Sequence, residues 1–456
     1  MSVPQYRQVA ALALAAGLGL GLAACSTKSG STDAAGKVTI TVDCQPVGAQ
    51  KELLKNWNAD VEAFQKLHPN ITIKSVSVGA QCNNPPDFTA RLQGGTVTDV
   101  FYGYMTDLQQ VLDSGQAMEI TPYVNKDTIP TWDSIDAAAK GVFTDAGKVY
   151  GVPVKNYSMG LVYNKNLFQQ AGLDPKTPPK TWAEVRAAAK KISALGNGIA
   201  GYSEYSAGNT GGWHFTAELY AQGGQIVSTD GKKADFNNTM GKQVLQNLKD
   251  MRYADNSMGD RQLLGWPDLL TNAGAGKVGM FIGAPDATTA IVTQFQGKYQ
   301  DWAMGPMPGQ DGTAKGTLGG GEGYFFKKGL SPEQVKAGLM WLAYEKLTPG
   351  KGQFDYVRSK PQNEPVGLPQ PQLFTVGSDA HKTDLEQRKA NANVNVEDFA
   401  AFENNPVTIK AEPPNAQAIY AVLDGAMSAV LTNPNASVDD ELRKAEEKVN
   451  QILATA

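Results

Sequence analysis

Residues 149–173 read VYGVPVKNYSMGLVYNKNLFQQAGL, and residues 178–192 read PPKTWAEVRAAAKKI. In the second stretch, Thr181 and Glu184 have the spacing of a capping box, which predicts that a helix begins just after Thr181. Apolar side chains then recur at helical spacing over residues 185–192 and predict a buried stripe on that helix.

The N-terminal part of the chain has the pattern of a βαβ unit. Residues 38–42 and 71–78 alternate apolar and polar side chains, as half-buried strands do. Residues 51–67 carry apolar side chains at helical spacing, and Pro69 predicts the end of that helix. Such a unit places two parallel strands side by side, joined by a right-handed crossover. A third strand is predicted at residues 99–102.

The carboxyl ends of these strands predict where a ligand binds, because open α/β sheets bind ligands at that edge. Gln45 follows the first strand, and Tyr104 and Asp107 follow the third. Tyr104 is equally consistent with a half-exposed loop aromatic. Cys44 and Cys82 follow the first and second strands, so a disulfide between them is geometrically reasonable, with two free thiols as the alternative.

The first residues of the chain have the composition of an export signal. Arg7 precedes an apolar run over residues 9–24 that is too short and too rich in alanine and glycine for a membrane span. Small residues come directly before Cys25, which resembles a bacterial lipobox and implies cleavage there and lipidation of the sulfur. An ordinary cleaved signal is the alternative. We therefore predict a lipoprotein signal peptide at residues 1–24, and a lipidated cysteine with a flexible tether at residues 25–37.

Length and charge narrow the class of protein. The chain has 456 residues, more than one ordinary core accommodates, which predicts two domains. The formal net charge is −4 and the basic residues form no stripe, so nucleic acid is not an expected partner.

Several sequence motifs that would indicate other chemistry are incomplete. The Gly-Lys pair at 276–277 lacks the earlier glycine and the following Ser or Thr of a phosphate-binding loop, and the glycines at 319–323 lack dinucleotide-binding spacing. The three histidines form no zinc motif or catalytic triad, so neither a metal nor a cofactor is expected. Asp107, Asp286 and Glu322 leave a glycoside hydrolase open, because such enzymes need two suitably spaced carboxylates.

The two stretches quoted first, together with three later blocks, resemble the extracellular solute-binding proteins of carbohydrate ABC importers, the large family that includes maltose-binding protein. The later blocks are AGAGKVGMFIGAPDA (273–287), AMGPMPG (303–309) and GTLGGGEGYFF (316–326). With the lipobox, the resemblance covers nearly the whole chain in order, and YNKNLF is its most specific part. It implies an α/β, two-lobe periplasmic-binding-protein fold (type II), with discontinuous lobes joined by hinge crossovers and the ligand in the cleft between them.

The resemblance also implies where the lobes begin and end. We expect the chain to cross from lobe 1 to lobe 2 near residues 153–157, to return near 284–286 and to cross again near 344–349. The predicted boundaries are residues 38–155 and 287–345 for lobe 1, and residues 156–286 and 346–456 for lobe 2.

Trp213 stands between two pairs of glycines in TGGWHFTAELYAQGG (210–224). Positional matching places it where family members carry an aromatic ring that stacks on sugar, and such rings suit the apolar faces of sugars. We expect the preceding glycines to let a loop present this ring to the cleft, with a tryptophan packed at a helix start as the alternative. The residues expected to bind ligand are Gln45, Tyr104, Asp107, Tyr157, Trp213, Trp266, Asp286, Gly320, Gly321, Glu322, Asn415 and Gln417.

The function that the resemblance implies is that of a substrate-binding lipoprotein anchored on the extracytoplasmic face of the bacterial cell membrane. It would capture a sugar or oligosaccharide as a monomer and deliver it to the transmembrane permease subunits of an ABC importer, without catalysis. Two other functions stay open: an exported glycoside hydrolase that uses cleft carboxylates, and a sugar sensor or adhesin that is not coupled to transport.

Overall fold

The computed structural model describes residues 36–79, 82, 85–362, 364–369, 373–404, 407–413 and 415–454. The predicted signal peptide and Cys25 lie outside these residues. The strands are β1 (Val38–Val42), β2 (Ile71–Ser75), β3 (Val100–Tyr104), β4 (Thr144–Asp145), β5 (Lys148–Val149), β6 (Gly151–Ser158), β7 (Gly160–Asn164), β8 (Ala200–Tyr202), β9 (Val278–Gly283), β10 (Trp302–Gly305), β11 (Thr317–Phe326) and β12 (Ile409–Lys410).

Helices cover much of the remaining chain. The α-helices are α1 (Lys51–Leu67), α2 (Pro85–Gln93), α3 (Leu108–Asp113), α4 (Ala137–Gly141), α5 (Lys165–Gln170), α6 (Trp182–Ser193), α7 (Thr210–Ala221), α8 (Thr239–Tyr253), α9 (Trp266–Gly274), α10 (Asp286–Phe295), α11 (Pro332–Lys346), α12 (Tyr356–Ser359), α13 (Asp379–Asn391), α14 (Ala400–Glu403), α15 (Ala416–Thr432) and α16 (Val438–Ala454). Short 3₁₀ helices cover Met105–Asp107, Thr121–Tyr123, Trp132–Ser134, Tyr299–Asp301, Gly352–Phe354, Lys360–Gln362 and Val396–Phe399.

The first sheet contains the predicted βαβ unit. Its strand order is β12-β11-β3-β1-β2, and β6 pairs with β11. β1 and β2 are parallel and in register from the Val38–Ile71 pair to the Val42–Ser75 pair, and β3 also runs parallel to β1. The unit forms because α1 crosses between the two strands and buries Trp57 against the sheet.

The second sheet has the order β10-β7-β9-β8 and contains part of the stretch quoted first. β7 pairs antiparallel with both β9 and β10. The predicted capping box begins α6: Glu184 N–H donates to Thr181 Oγ1, and Thr181 N–H donates to the Glu184 carboxylate. This helix buries Val185 and Ile192, as its apolar stripe predicts.

The buried apolar side chains separate the chain into two lobes. Lobe 1 is built on the first sheet, and its core includes Phe101 and Trp341. Lobe 2 is built on the second sheet and has two neighbouring clusters, one around Trp182 and one around Trp302. Each lobe therefore has its own core, as two packed α/β layers require.

The predicted lobe boundaries differ from this division in two places. Residues 287–318 belong to lobe 2, because β10 pairs with β7 and Trp302 packs in a lobe 2 core. The chain therefore returns to lobe 1 along β11, and not near residues 284–286. Much of residues 347–380 packs in lobe 1, where Phe354 and Phe374 join the core. The later crossing thus comes well after residues 344–349, since Phe399 packs in lobe 2.

Within the described ranges, none of the helices has both the length and the apolar character that crossing a bilayer requires.

Candidate ligand-binding site

Two antiparallel strands, β6 and β11, connect the lobes. Residues 319–321 of β11 pair with residues 156–158 of β6, midway between the two cores. A Cβ atom on Gly321 would lie 2.1 Å from the carbonyl oxygen of Lys155, so glycine is required for this approach. Gly320 and Gly321, predicted to present amides from lobe 1, instead lie inside the ladder of these crossover strands.

On the lobe 1 side, Tyr102 and Tyr104 lie at the end of β3 with ring centroids 5.7 Å apart. Glu322, from β11, is the ladder partner of Tyr104 and interacts with both phenol groups. Burial, followed by the charge of Glu322, raises the pKa of Tyr104 to about 12, so its hydroxyl stays protonated at neutral pH. Asp107 accepts a hydrogen bond from the Tyr104 N–H at 2.7 Å. Gln45 follows β1 and is half-buried.

On the lobe 2 side, Trp213, Tyr157 and Glu412 form a hydrogen-bonded group. Trp213 Nε1–H donates to the Tyr157 hydroxyl at 3.4 Å, and the ring centroids are 6.0 Å apart. The Tyr157 hydroxyl donates to Glu412 Oε1 at 3.0 Å. Burial raises the pKa of Glu412, and hydrogen bonds from Tyr157 and Trp213 oppose that shift. Glu412 is not among the residues predicted to bind ligand, because no local pattern in the sequence distinguishes it from an exposed glutamate.

The residues before Trp213 form a helix and not a loop. α7 begins at Thr210, so Gly211 and Gly212 lie in its first turn. A Cβ atom on Gly212 would lie 2.4 Å from the Tyr420 Cα atom of α15. The expectation that these glycines supply loop flexibility is therefore wrong, because they allow two helices to pack closely. Trp213 itself is half-buried against lobe 2.

Two buried rings, Tyr205 and His214, connect Trp213 with a second half-buried tryptophan, Trp266. Trp266 begins α9 and lies against Tyr205, with ring centroids 4.9 Å apart. Tyr205 meets His214 edge-on at 4.2 Å, and His214 lies 5.3 Å from Trp213. The rings thus form a continuous row from Trp266 to Trp213. Asp286 is exposed at the start of α10 and interacts with Tyr205, which the sequence analysis did not select.

One of these rings, His214, belongs to a buried polar cluster. His214 is 1% exposed and pairs through Nδ1 with Glu204 Oε1, while the Tyr202 hydroxyl donates to Glu204 Oε2 at 3.2 Å. Glu218 is fully buried, and neither of its carboxylate oxygens accepts a hydrogen bond within the described part of the chain. Burial therefore raises the pKa of Glu218 well above the usual range, and the neighbouring Glu204 adds to the shift.

Asn415 and Gln417 lie where α15 begins, and both are exposed. Gln417 Oε1 accepts a hydrogen bond from Asn209 Nδ2 at 3.1 Å, which links the starts of α15 and α7. Further along α15, Asp424 accepts hydrogen bonds from the Asn209 and Gly212 N–H groups at 2.6 and 2.7 Å. α15 therefore holds the first turn of α7, and with it the backbone that carries the Trp213 ring.

Carboxylates act on the site's tyrosines, and Lys155 on β6 is the ladder partner of Glu322. Tyr104 packs against the lobe 1 core and Glu412 bonds Tyr157, which packs against lobe 2; the charge of Glu412 also helps to raise the pKa of Tyr104, as expected if the two halves of the site face each other. Rings that cover apolar faces and carboxylates that accept hydroxyl hydrogens are suited to a hydroxylated ligand. The interacting groups are Glu322, Asp107 and Glu412 around Tyr104, and Glu412 and Asp286 around Tyr157.

Cys44 and Cys82 form a disulfide at the edge of lobe 1, with Cα atoms 5.0 Å apart. The bond joins the end of β1 to the segment after β2. It therefore fixes the loops that lead to the strand ends around Gln45.

Two α/β lobes, crossover strands between them and an aromatic surface at their junction define the class of two-lobe solute-binding proteins. A family model described as "Bacterial extracellular solute-binding protein" matches residues 49–343. The chain belongs to this family, as its sequence blocks predicted.

Curated relatives match over part of their length. The sn-glycerol-3-phosphate-binding periplasmic protein UgpB of Yersinia pestis bv. Antiqua is 28% identical over 232 residues, which cover 48% of this chain and 51% of that protein. A putative binding protein of Brucella abortus is 34% identical over 85 residues, which cover 19% of this chain and 20% of that protein. The chain thus spans about half the length of the Yersinia protein and about a fifth of the length of the Brucella protein.

Solved structures match over nearly the whole chain. The cyclic alpha-maltosyl-1,6-maltose binding protein of Arthrobacter globiformis has a TM-score of 0.71 and 22% identity, with 92% of this chain and 100% of that chain covered. UgpB of Mycobacterium tuberculosis, in complex with glycerophosphocholine, has a TM-score of 0.69 and 15% identity, with 92% and 99% covered. These likenesses confirm the predicted two-lobe α/β fold.

Proposed function

We propose that this protein captures a sugar or oligosaccharide outside the bacterial cell and delivers it to the permease of an ABC importer. The observation that supports this function best is the group of Trp213, Tyr157 and Glu412 facing Tyr104 of the other lobe. An aromatic ring covers the apolar face of a sugar, and carboxylate and phenol groups exchange hydrogen bonds with its rim. The proposed ligand-binding set is the predicted one without Gly320 and Gly321, which pair with β6, and with Tyr102, Tyr205 and Glu412 added.

A phosphorylated ligand is the competing possibility, because one group of relatives is named for binding sn-glycerol-3-phosphate. The charged groups that interact with Tyr104 and Tyr157 are carboxylates. Carboxylates repel a phosphate dianion, whereas phosphate sites supply arginine, lysine or helix N–H donors. The charges at this site therefore favour a hydroxylated ligand without phosphate.

Transport follows from differential affinity. Ligand that binds the closed arrangement of the lobes more tightly shifts the population toward it, with β6 and β11 absorbing the change in backbone dihedral angles. The proposed lipid on Cys25 would keep the monomer at the membrane and raise its local concentration near the permease. In this role the carboxylates bind hydroxyl groups and cleave no bond.

Binding of a panel of mono- and oligosaccharides to the full chain, measured by tryptophan fluorescence and calorimetry, tests the proposal. Trp213→Ala should weaken binding of any sugar that binds by about 1–3 kcal/mol, or roughly 5- to 150-fold, because a buried aromatic contact is lost. Trp213→Phe should retain part of the affinity. Trp132→Ala, which removes a half-buried tryptophan from the lobe 1 core, is the matched control and should leave affinity unchanged.

The competing functions give different results. New reducing ends during incubation with oligosaccharides would indicate a glycoside hydrolase. Tight binding of sugar by a protein that fails to restore uptake in a transport-deficient strain would indicate a sensor or adhesin. Binding of sn-glycerol-3-phosphate with no binding of any sugar would refute the proposed ligand class.

A further inference from the structure

A buried pair, Glu204 and His214, lies next to the Trp213 ring in lobe 2. Glu204 is 3% exposed and His214 is 1% exposed, and His214 Nδ1 pairs with Glu204 Oε1. Glu204 follows the carboxyl end of β8, which runs parallel to β9, so it lies at the edge where such strands bind ligands. Both side chains are buried, and the pair therefore acts on a ligand only through the residues that it supports.

The imidazole ring of His214 contacts two aromatic rings of the proposed site. Its centroid lies 5.3 Å from that of Trp213 and 4.2 Å from that of Tyr205, which it meets edge-on. The indole N–H of Trp213 is bonded to Tyr157 at 3.4 Å, a long contact that leaves the ring plane to be fixed by its packing neighbours. The position of the Trp213 ring therefore depends on the orientation of His214.

Glu204 is the group that fixes this imidazole. Within the described part of the chain, His214 Nε2 has no hydrogen-bond partner, so the bond from Nδ1 to Glu204 orients the ring. Glu204 Oε2 accepts a hydrogen bond at 3.2 Å from Tyr202, whose ring lies in the lobe 2 core. Tyr202 thus holds the carboxylate and the carboxylate holds the imidazole, which is how supporting contacts lock the side chains of a binding site.

The stability of lobe 2 does not by itself account for a polar pair at this position. The surrounding core is apolar, and Phe215, Ala217 and Leu219 of the same helix are fully buried. Apolar side chains of similar volume often stabilise a core as well as a buried ion pair does, because they avoid the cost of desolvation. A fixed ring orientation is what the pair provides and an apolar core does not.

We propose that Glu204 and His214 are positioning residues, which hold the Trp213 ring in the orientation that stacks on the ligand. This inference rests on the proposed function, because it assigns the support of the same binding surface. The Glu204 carboxylate accepts the hydrogen bond, so Nδ1 of His214 carries a proton.

The test is a double-mutant cycle between Glu204 and Trp213 on the full chain, with the affinity for any sugar that binds measured by calorimetry. Glu204→Leu should weaken binding about 3- to 10-fold, less than Trp213→Ala, because the ring is displaced and not removed. In the Trp213→Ala background, the same change should cost less than about twofold. Glu204→Gln should retain most of the affinity, because its amide oxygen still accepts from Nδ1–H and its amide nitrogen can donate to Tyr202.

Nitrogen-15 NMR of the histidine rings follows the same variants without a ligand. The chain has three histidines, so His68→Gln and His381→Gln assign the His214 signals by elimination. The Nδ1–H signal of His214 should be present in the wild-type protein, persist in Glu204→Gln and be lost in Glu204→Leu. A wild-type ring without a proton on Nδ1 would refute the assigned hydrogen bond and the positioning role with it.

Asn247→Leu is the matched control. It removes another buried polar side chain of lobe 2, which donates to Gln310 at 3.2 Å, and should leave affinity unchanged whatever its effect on urea unfolding. Normal binding by Glu204→Leu, or a loss of equal size with and without Trp213, would refute the positioning role and leave the proposed function intact. An equal loss in Asn247→Leu would trace the effect to stability and also refute it. Binding of no sugar by the wild-type protein would overturn the proposed function, and this inference with it.

Discussion

The first turn of α7 gives a sharp test of why glycines precede Trp213. Gly212→Ala places a methyl group 2.4 Å from the Tyr420 Cα atom and 2.5 Å from the Tyr420 carbonyl oxygen. Carbon atoms in contact normally lie about 3.5–4.0 Å apart, so α7 and α15 must separate by roughly 1 Å. The neighbouring atoms are backbone and cannot move aside by changing rotamer.

The expected magnitude follows from two opposing effects. Forcing an extra carbon into this contact costs up to about 3 kcal/mol, the upper part of the usual range for overpacking, because backbone must move. Replacing glycine by alanine within a helix stabilises the helix by about 1 kcal/mol. The net loss of stability is then ~2 kcal/mol, or a fall in Tm of about 4–8 °C for a lobe of this size.

The matched control lies on the partner helix. Gly425 belongs to α15, and a Cβ atom there meets nothing within 4 Å. Gly425→Ala should therefore raise stability by up to about 1 kcal/mol from helix propensity alone. Both variants are measured by thermal and urea unfolding followed by far-UV circular dichroism. If Gly212→Ala is as stable as Gly425→Ala, the close helix contact is not the reason for this glycine, and loop flexibility becomes the better explanation.

Two other predictions concern stability. Burial raises the pKa of Glu218 in the folded protein, so the free energy of unfolding should fall as pH rises from the ordinary glutamate pKa, about 4.3, toward the pKa of the folded state. Glu218→Gln should flatten this decline and raise Tm at pH 8. Glu62→Gln, which changes an exposed carboxylate, should do neither. The Cys44–Cys82 disulfide closes a loop with a sequence separation of 38 and so restricts the unfolded chain. Replacing both cysteines by alanine should therefore lower the free energy of unfolding of lobe 1 by up to about 4 kcal/mol. An unchanged midpoint of urea unfolding would contradict this.

Local features of the fold were predictable from the sequence because the interactions that create them are local. The capping box at Thr181 requires Glu184 only three residues away. The first parallel strand pair follows from alternating side chains and one helix between them. The pairing of Cys44 with Cys82 follows from strand ends that such a unit places at one edge.

Contacts between distant parts of the chain were not predictable in the same way. The return to lobe 1 was expected near residues 284–286, but β10 pairs with β7 across more than a hundred residues and keeps that segment in lobe 2. Glu412 reaches Tyr157 because the preceding strand, β12, pairs with β11. No short-range pattern in the sequence distinguishes Glu412 from an exposed glutamate.

By itself, the sequence determined the class of the protein, the βαβ start of lobe 1 and the helix that follows Thr181. Only the tertiary structure decided where the chain changes lobes, which carboxylates face the rings and why glycines precede Trp213. The physical reason is the range of the interactions. Side-chain periodicity and capping act within a few residues, whereas strand pairing, helix contact and burial of charge depend on segments that only folding brings together.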